Sequence, residues 1–151
     1  MLPRPTLRVQ VLAHGEGLPL PRYETPGSAG LDLRAAIDAS IVLGSLDRIA
    51  VPTGLIMAIP SGWEGQIRPR SGNALRLGLS MPNTPGTIDS DYRGELKVIL
   101  VNLSREPVTI DRGMRIAQLV ICPVGHADLV VVDEIAADTE RGAGGFGSTG
   151  T

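Results

Sequence analysis

The sequence predicts an all-β antiparallel sandwich or jelly roll with one short helix and a glycine-rich C-terminal arm, on three observations. Gly (19) and Pro (12) make up about a fifth of the 151 residues, spread along the chain rather than gathered in one tract, too many breakers for a helix bundle. Apolar residues alternate with polar ones over short stretches, the period of a half-buried strand. Turn-forming clusters separate those stretches, which favours a sandwich over a parallel sheet with crossover helices. With 42% hydrophobic against 20% charged residues, a chain of this size buries roughly two-thirds of its unfolded surface around a single core.

In chain order, Leu7, Val9 and Val11 mark a first strand, and Leu31 and Leu33 bracket Asp32 in a second. Gly54 to Pro60 reads as a strand closed by its proline, and Trp63 to Arg68 as the next. The stretch Ser71-Gly-Asn-Ala-Leu-Arg-Leu-Gly78 offers a capping residue, helix formers and a glycine stop, so about two helical turns are predicted to begin near Ser71. Glu95 to Leu103 is the most apolar strand, with Leu96, Val98 and Leu100 on one face and Ile99, Val101 and Leu103 partly sharing the other. Arg115 to Cys122 and Leu129 to Val132 complete the set. Turn signals at Pro19–Pro26, Pro60–Gly62, Pro82–Gly86, Arg112-Gly113 and Pro123–Gly125 separate them.

Several function classes fall away on inventory. A formal net charge of −2 lacks the basic footprint of a general nucleic-acid binder. No apolar run approaches the ~20 residues of a spanning helix, and Met1 to Gly15 has no apolar core of a secretory signal, so neither a membrane nor a secreted protein is expected. The single cysteine, Cys122, rules out an intrachain disulfide, fits a reducing cytoplasmic setting and is expected to be a buried core thiol. The two histidines, His14 and His126, stand far apart without further metal ligands at ligand spacing, so neither a zinc centre nor a His-based triad is in view.

Three clusters carry chemistry. Arg70 stands beside the start of the short helix, where unpaired N–H groups favour an anion, although Ser71 could equally be a simple cap. Gly86-Thr-Ile-Asp89-Ser-Asp91-Tyr92-Arg93-Gly94 crowds carboxylates, a tyrosine and an arginine into a turn before the strongest strand; a solvated turn would also favour Asp and Gly. Arg141 to Gly150 holds five glycines, with Arg141, Phe146, Ser148 and Thr149 set among them. Its two G-x-G-x-x-G matches lack the following helix and acidic residue of a dinucleotide site. A frayed tail and an arm that closes on a flat, anionic ligand are both consistent with it.

In order along one chain, these clusters resemble the five motifs of the trimeric deoxyuridine triphosphatase (dUTPase) family. The motifs are Ala29-Gly-Leu-Asp-Leu-Arg-Ala35, Arg68-Pro-Arg-Ser-Gly72, Gly86-Thr-Ile-Asp-Ser-Asp-Tyr-Arg-Gly94, Arg112-Gly-Met-Arg-Ile-Ala-Gln118 and Arg141 to Gly150. The resemblance covers nearly the whole chain. It implies a jelly-roll domain over residues 1–140 of the family's β-clip kind, and an arm over 141–151 that closes the active site of a neighbouring subunit in a homotrimer. One departure is Asn73-Ala74, where an apolar residue is expected first.

The reaction so implied is hydrolysis of dUTP to dUMP and pyrophosphate, which keeps uracil out of DNA and supplies dUMP for dTMP synthesis. By resemblance, Asp89 activates the water that attacks the α-phosphorus, since a carboxylate can take that water's proton. Arg70, Ser71 and Gly72 hold phosphates, and Gln118 bonds near the α-phosphate or the water. Asn83 and the backbone of Gly86, Thr87 and Ile88 read uracil. Tyr92 packs on the deoxyribose and Lys97, the chain's only lysine, borders the pocket. Arg141, Gly147, Ser148 and Thr149 close on the outer phosphates, and Phe146 stacks on the base. Asp32 supports Arg70 or the metal's waters. Mg²⁺ is expected on substrate phosphates and waters, with no direct protein ligand. A dCTP deaminase of the same fold would need a glutamate near Ile99, and a non-catalytic binding relative would have lost Asp89 or the arm.

Overall fold

Short alternating stretches bounded by turns fold as two packed sheets, and the computed structural model, which describes residues 4–136 and 138–145, is built that way. Its strands are β1 (Arg8–Val11), β2 (Gly30–Arg34), β3 (Ile41–Leu43), β4 (Arg48–Ala58), β5 (Trp63–Arg68), β6 (Leu79–Ser80), β7 (Gly86–Ile88), β8 (Glu95–Asn102), β9 (Val108–Ile110) and β10 (Arg115–Pro123). One sheet runs β1-β4-β8-β6, the second β2-β10-β5-β7, and β3 pairs with β9 in a two-stranded ribbon. Every pairing is antiparallel. The all-β jelly-roll class is therefore as the sequence predicts. Among the described residues no helix is long and apolar enough to cross a membrane.

The core lies between the two four-stranded sheets. Leu96, Val98 and Leu100 of β8 are fully buried, on the face the alternation assigns to them, together with Val51 and Met57 of β4. From the second sheet come Leu33, Ile67, Ala117 and Leu119, in the same cluster. Each of these side chains larger than alanine contributes about 1.5–3 kcal/mol of burial. Buried polar groups are paired: the Asn102 amide donates to Leu43 O (3.0 Å) and Glu106 O (2.8 Å), while its Oδ1 accepts from Ser104 N (2.8 Å).

The short helix α1 (Ser71–Leu77) stands where the sequence puts it and ends at Gly78 in the left-handed conformation (φ 67°). Its N-cap is Arg70, not Ser71, and no side chain caps it. Asn73, at the position where an apolar residue is expected, is buried and donates from Nδ2 to Arg115 O (2.8 Å), which ties the helix to β10.

Three readings need correction. Leu129 to Val132 forms no strand: these residues follow the end of β10, pair with none of the described strands and are exposed. Cys122 is half-buried rather than a core thiol, because it lies near the end of β10, opposite Glu64. The strand expected from Gly54 begins at Arg48 and bends at a bulge between Pro52 and Ile56. Strands β3, β6, β7 and β9 have two or three residues each, too few for a period to register.

Candidate active site

One group of predicted residues gathers where β2, β10 and β5 run side by side. Gln118 of β10 stands opposite Asp32 on one flank and Arg68 on the other. The Asp32 carboxylate accepts from Arg70 Nε (2.8 Å) and from Arg115 Nη1 (3.1 Å). Two guanidinium groups thus share one half-buried carboxylate, which fixes both and leaves the cluster net positive. Gln118 donates from Nε2 to Pro69 O (3.1 Å), so its side chain lies along the entry to α1. A Cβ at Gly30 would strike Gln118 Oε1, so a larger residue there would push this amide out of its present position. The first bond of α1 runs from Ala74 N to Arg70 O (3.0 Å), and the preceding amides of Ser71 and Gly72 have no acceptor within the helix.

The other group lies at the β7–β8 junction. Tyr92 N donates to Asp89 O (3.2 Å), closing a turn. Arg93 Nη1 braces it by donating to Ser90 O and Tyr92 O, both at 2.7 Å. The Tyr92 hydroxyl donates to Glu95 O (3.0 Å), and the ring lies so close over Gly94 that no Cβ fits there. Thr87, Ile88, Asp89, Tyr92, Glu95 and Lys97 line a cleft of about 390 Å³, with Asp89 and Lys97 exposed at it. In the preceding hairpin, Asn83 Nδ2 faces buried Gly86 closely enough to crowd a Cβ there.

These two groups do not meet within one chain. Ile88 stands opposite Gly65 of β5, and Gln118 opposite Arg68. The offset along the strand is roughly 10 Å at ~3.3 Å per residue, and Asp89 lies on the far side of Ile88. Arg141 joins neither: its Nε donates to Gly144 O (2.8 Å) within its own turn. Phe146, Gly147, Ser148 and Thr149 lie outside the described residues.

Sequence reasoning misses Arg115, Gly30 and Gly94. Arg115 and Asp32 are 83 positions apart, and only the β2–β10 register brings them together. Gly94 had a local signal, a glycine two residues after the only tyrosine of the third motif. A further pair it misses is His14 Nε2 and Glu95 Oε1, 2.6 Å apart, of which Glu95 lines the cleft.

The chemistry available is thus a cationic cluster suited to a polyanion and a separate cleft with one exposed carboxylate. Among the described residues no three His, Cys, Asp or Glu side chains converge as a metal cage.

The dUTPase family profile matches residues 16–150. The deoxyuridine 5'-triphosphate nucleotidohydrolase of Rhizobium etli (strain CIAT 652) is 58% identical over 149 residues, 97% of this chain and 95% of that one. That of Wolbachia pipientis subsp. Culex pipiens (strain wPip) is 53% identical over 145 residues, 95% of each chain. Among solved structures, the Staphylococcus bacteriophage 80alpha dUTPase with dUPNHPP superposes with a TM-score of 0.83 at 28% identity, over 97% of this chain and 99% of that one. A variant of the dUTPase from phage phi11 of S. aureus, described for its coordination of a structural Mg(II) ion, gives a TM-score of 0.77 at 26% identity, over 86% of this chain and 98% of that one. With the profile spanning nearly its full length and these relatives matching end to end, the chain belongs to the dUTPase family.

Proposed function

We propose that this chain hydrolyses dUTP to dUMP and pyrophosphate, as an enzyme of nucleotide metabolism acting in the cytoplasm. The observation that carries the reading is the cleft in which Asp89, Tyr92 and the Thr87–Ile88 backbone face one another. Its volume of about 390 Å³ falls in the ~300–1,000 Å³ range of small-molecule sites. Asp89 orients the attacking water and takes its proton as the water meets the α-phosphorus; the P–O bond to the β-phosphate breaks, and pyrophosphate leaves. Asn83 and the backbone of Gly86, Thr87 and Ile88 read the uracil edge, a narrow hairpin that leaves no room for thymine's methyl and mis-pairs with cytosine's amine. Tyr92 excludes a 2′-hydroxyl, and Lys97 borders the pocket. The remaining acid of the cleft, Glu95, is occupied by His14 and by Gly54 N (2.8 Å). The position where a deaminase would carry its glutamate is Ile99.

The separation of Asp89 from Arg70 and Gln118 supports a site shared between subunits of a homotrimer. In that assembly Arg70, Ser71, Gly72 and Gln118 of one subunit bind phosphates beside Asp89 of another. Arg141, Phe146, Gly147, Ser148 and Thr149 arrive from a neighbour as the arm. The exposed, apolar Leu129–Val132, with side chains 57–98% accessible, favours pairing on a second copy, which would carry the arm across. Neither nucleic acid nor a membrane is a partner on this reading.

Magnesium fits this donor set as an ion carried on the substrate. Asp32 is shared by two arginines, and no carboxylate cage stands among the described residues. Phosphate oxygens and waters would hold the ion, and Asp32 could accept hydrogen bonds from those waters. When bound, it neutralises charge on the triphosphate.

The test is pyrophosphate release with Mg²⁺ from dUTP, dCTP, dTTP and UTP in parallel. Release from dUTP alone is expected. Release from dCTP as well would move the chain to the deaminating members of the fold, and silence on all four from folded protein would overturn the enzymatic reading.

A further inference from the structure

The lining of the nucleoside cleft is held from outside by a segment that touches none of the motif residues read as binding substrate. The single 3-10 turn Ala13–Gly15 precedes the first motif and packs on the bulge of β4. Leu12 N donates to Gly54 O (2.8 Å). Gly15 and Gly54 approach so closely that neither position admits a Cβ, and Gly54 has φ +70°. Arg112 clamps the turn from behind, donating to His14 O (2.9 Å) and Glu16 O (3.0 Å). The His14 imidazole then reaches forward to Glu95 Oε1 (2.6 Å), the same oxygen that accepts from Gly54 N (2.8 Å).

That oxygen sits at a sensitive place. The β4 bulge falls opposite the step from Glu95 to Lys97, since Pro52 pairs with Lys97 and Ile56 with Glu95. Glu95 and Lys97 both line the cleft. The main-chain carbonyl of Glu95 accepts the Tyr92 hydroxyl (3.0 Å). A bulge disrupts its ladder locally and re-aims neighbouring side chains, so the start of β8 is held across it by side-chain ties: Thr53 Oγ1 donates to Leu96 O (2.7 Å), and Gly54 N and the His14 ring both meet Glu95 Oε1. The His14–Glu95 tie is half-shielded from water, with the side chains of His14 and Glu95 35% and 15% accessible.

We propose that His14 is a positioning residue for nucleoside selection: through Glu95 it fixes the start of β8, and thereby the Tyr92 ring and Lys97, against the bulge of β4. The inference rests on the dUTPase reading of the cleft. His14 acts at one remove; it touches neither substrate nor Asp89.

The experiment compares His14→Ala, the conservative His14→Gln and a control, Ser45→Ala. The control removes a hydrogen bond to Ser104 O (2.6 Å) elsewhere. For each full-length variant, kcat and KM for dUTP and UTP are measured, with amide hydrogen exchange over Pro52–Leu55 and Tyr92–Lys97 without nucleotide. His14→Ala is expected to raise KM for dUTP several-fold with little change in kcat. It should narrow the dUTP-to-UTP preference in kcat/KM and speed exchange in both segments. His14→Gln, which can still donate to Glu95, should recover most of the preference, and Ser45→Ala should leave it at the wild-type value. If His14→Ala keeps the wild-type preference or exchange, or loses the preference no more than Ser45→Ala, the positioning role is overturned while the dUTPase reading stands. A wild-type protein inert on dUTP would overturn that reading, and this role with it.

Discussion

Asp89 and Asp91 are two positions apart, yet the turn between them gives them different surroundings. Asp89 borders the cleft with Thr87 and Tyr92. Asp91 is absent from that lining and borders a pocket with Ser61, Arg8 and Arg93, although both aspartates also line a third cavity with Glu64 and His126. Asp89→Asn keeps the shape and loses the proton acceptor, so turnover of dUTP should fall by ~10²–10⁴ while affinity for a non-hydrolysable analogue stays within a few-fold. Asp91→Asn should keep most of the turnover, and equal losses from both would remove Asp89 as the base. Tyr92 can be tested in two ways. Tyr92→Ala should raise kcat/KM for UTP relative to dUTP. Gly94→Ala, which leaves the ring in place chemically but displaces it with a methyl group, should do the same to a smaller degree. An unchanged ratio in both, measured by pyrophosphate release, would show that the ring does not gate the sugar.

At the scale of elements, the register of β2, β10 and β5 is what gathers scattered motif residues into the cationic cluster proposed to bind phosphate. Asp32 tests this because charge and position predict opposite results. If the cluster served only as positive charge, Asp32→Asn would strengthen anion binding by removing a negative group. If Asp32 serves to aim Arg70 and Arg115, the same change should raise KM for dUTP about tenfold, the ~1–2 kcal/mol scale of a charge-assisted hydrogen bond. Titration with inorganic pyrophosphate separates the two: weaker binding supports aiming, tighter binding refutes it. The sequence reveals less of this site than its motifs suggest. The role of Asp32 toward Arg70 follows from the family resemblance, but the share taken by Arg115 depends on a strand pairing that local periodicity does not encode. Strands with a full alternating face, such as β5 and β8, are legible in the sequence because burial on one side imposes the period. The ribbon of β3 and β9 is not, because three residues make one and a half periods. Leu129 to Val132 has the composition of a strand and forms none among the described residues; composition records what a segment can pair with, not whether a strand lies beside it.

That unpartnered segment leads to the whole molecule. If each site takes Asp89 from one subunit and the arm from another, the two contributions can be separated between chains, which a self-contained monomeric site would forbid. Deleting residues 141–151 should leave the fold and assembly intact, since among the described residues the core cluster has no member beyond β10, and should reduce kcat/KM for dUTP by ~10²-fold or more, through lost phosphate contacts and lost exclusion of water. The Asp89→Asn chain should be equally inactive for a different reason. Co-expressed, the two should complement. In a cyclic assembly of mixed subunits, about a quarter of the sites would combine an intact Asp89 from the truncated chain with an intact arm from the other, and activity should return to that order. An arm that closed its own subunit's site would give no recovery, because every chain would still lack either its base or its arm. Pyrophosphate release from the purified mixture, set against the two parents and corrected for the subunit ratio found by mass spectrometry, separates these cases. Recovery would show that each site draws its base and its arm from different subunits, so that the functional unit is the assembly and not the single chain.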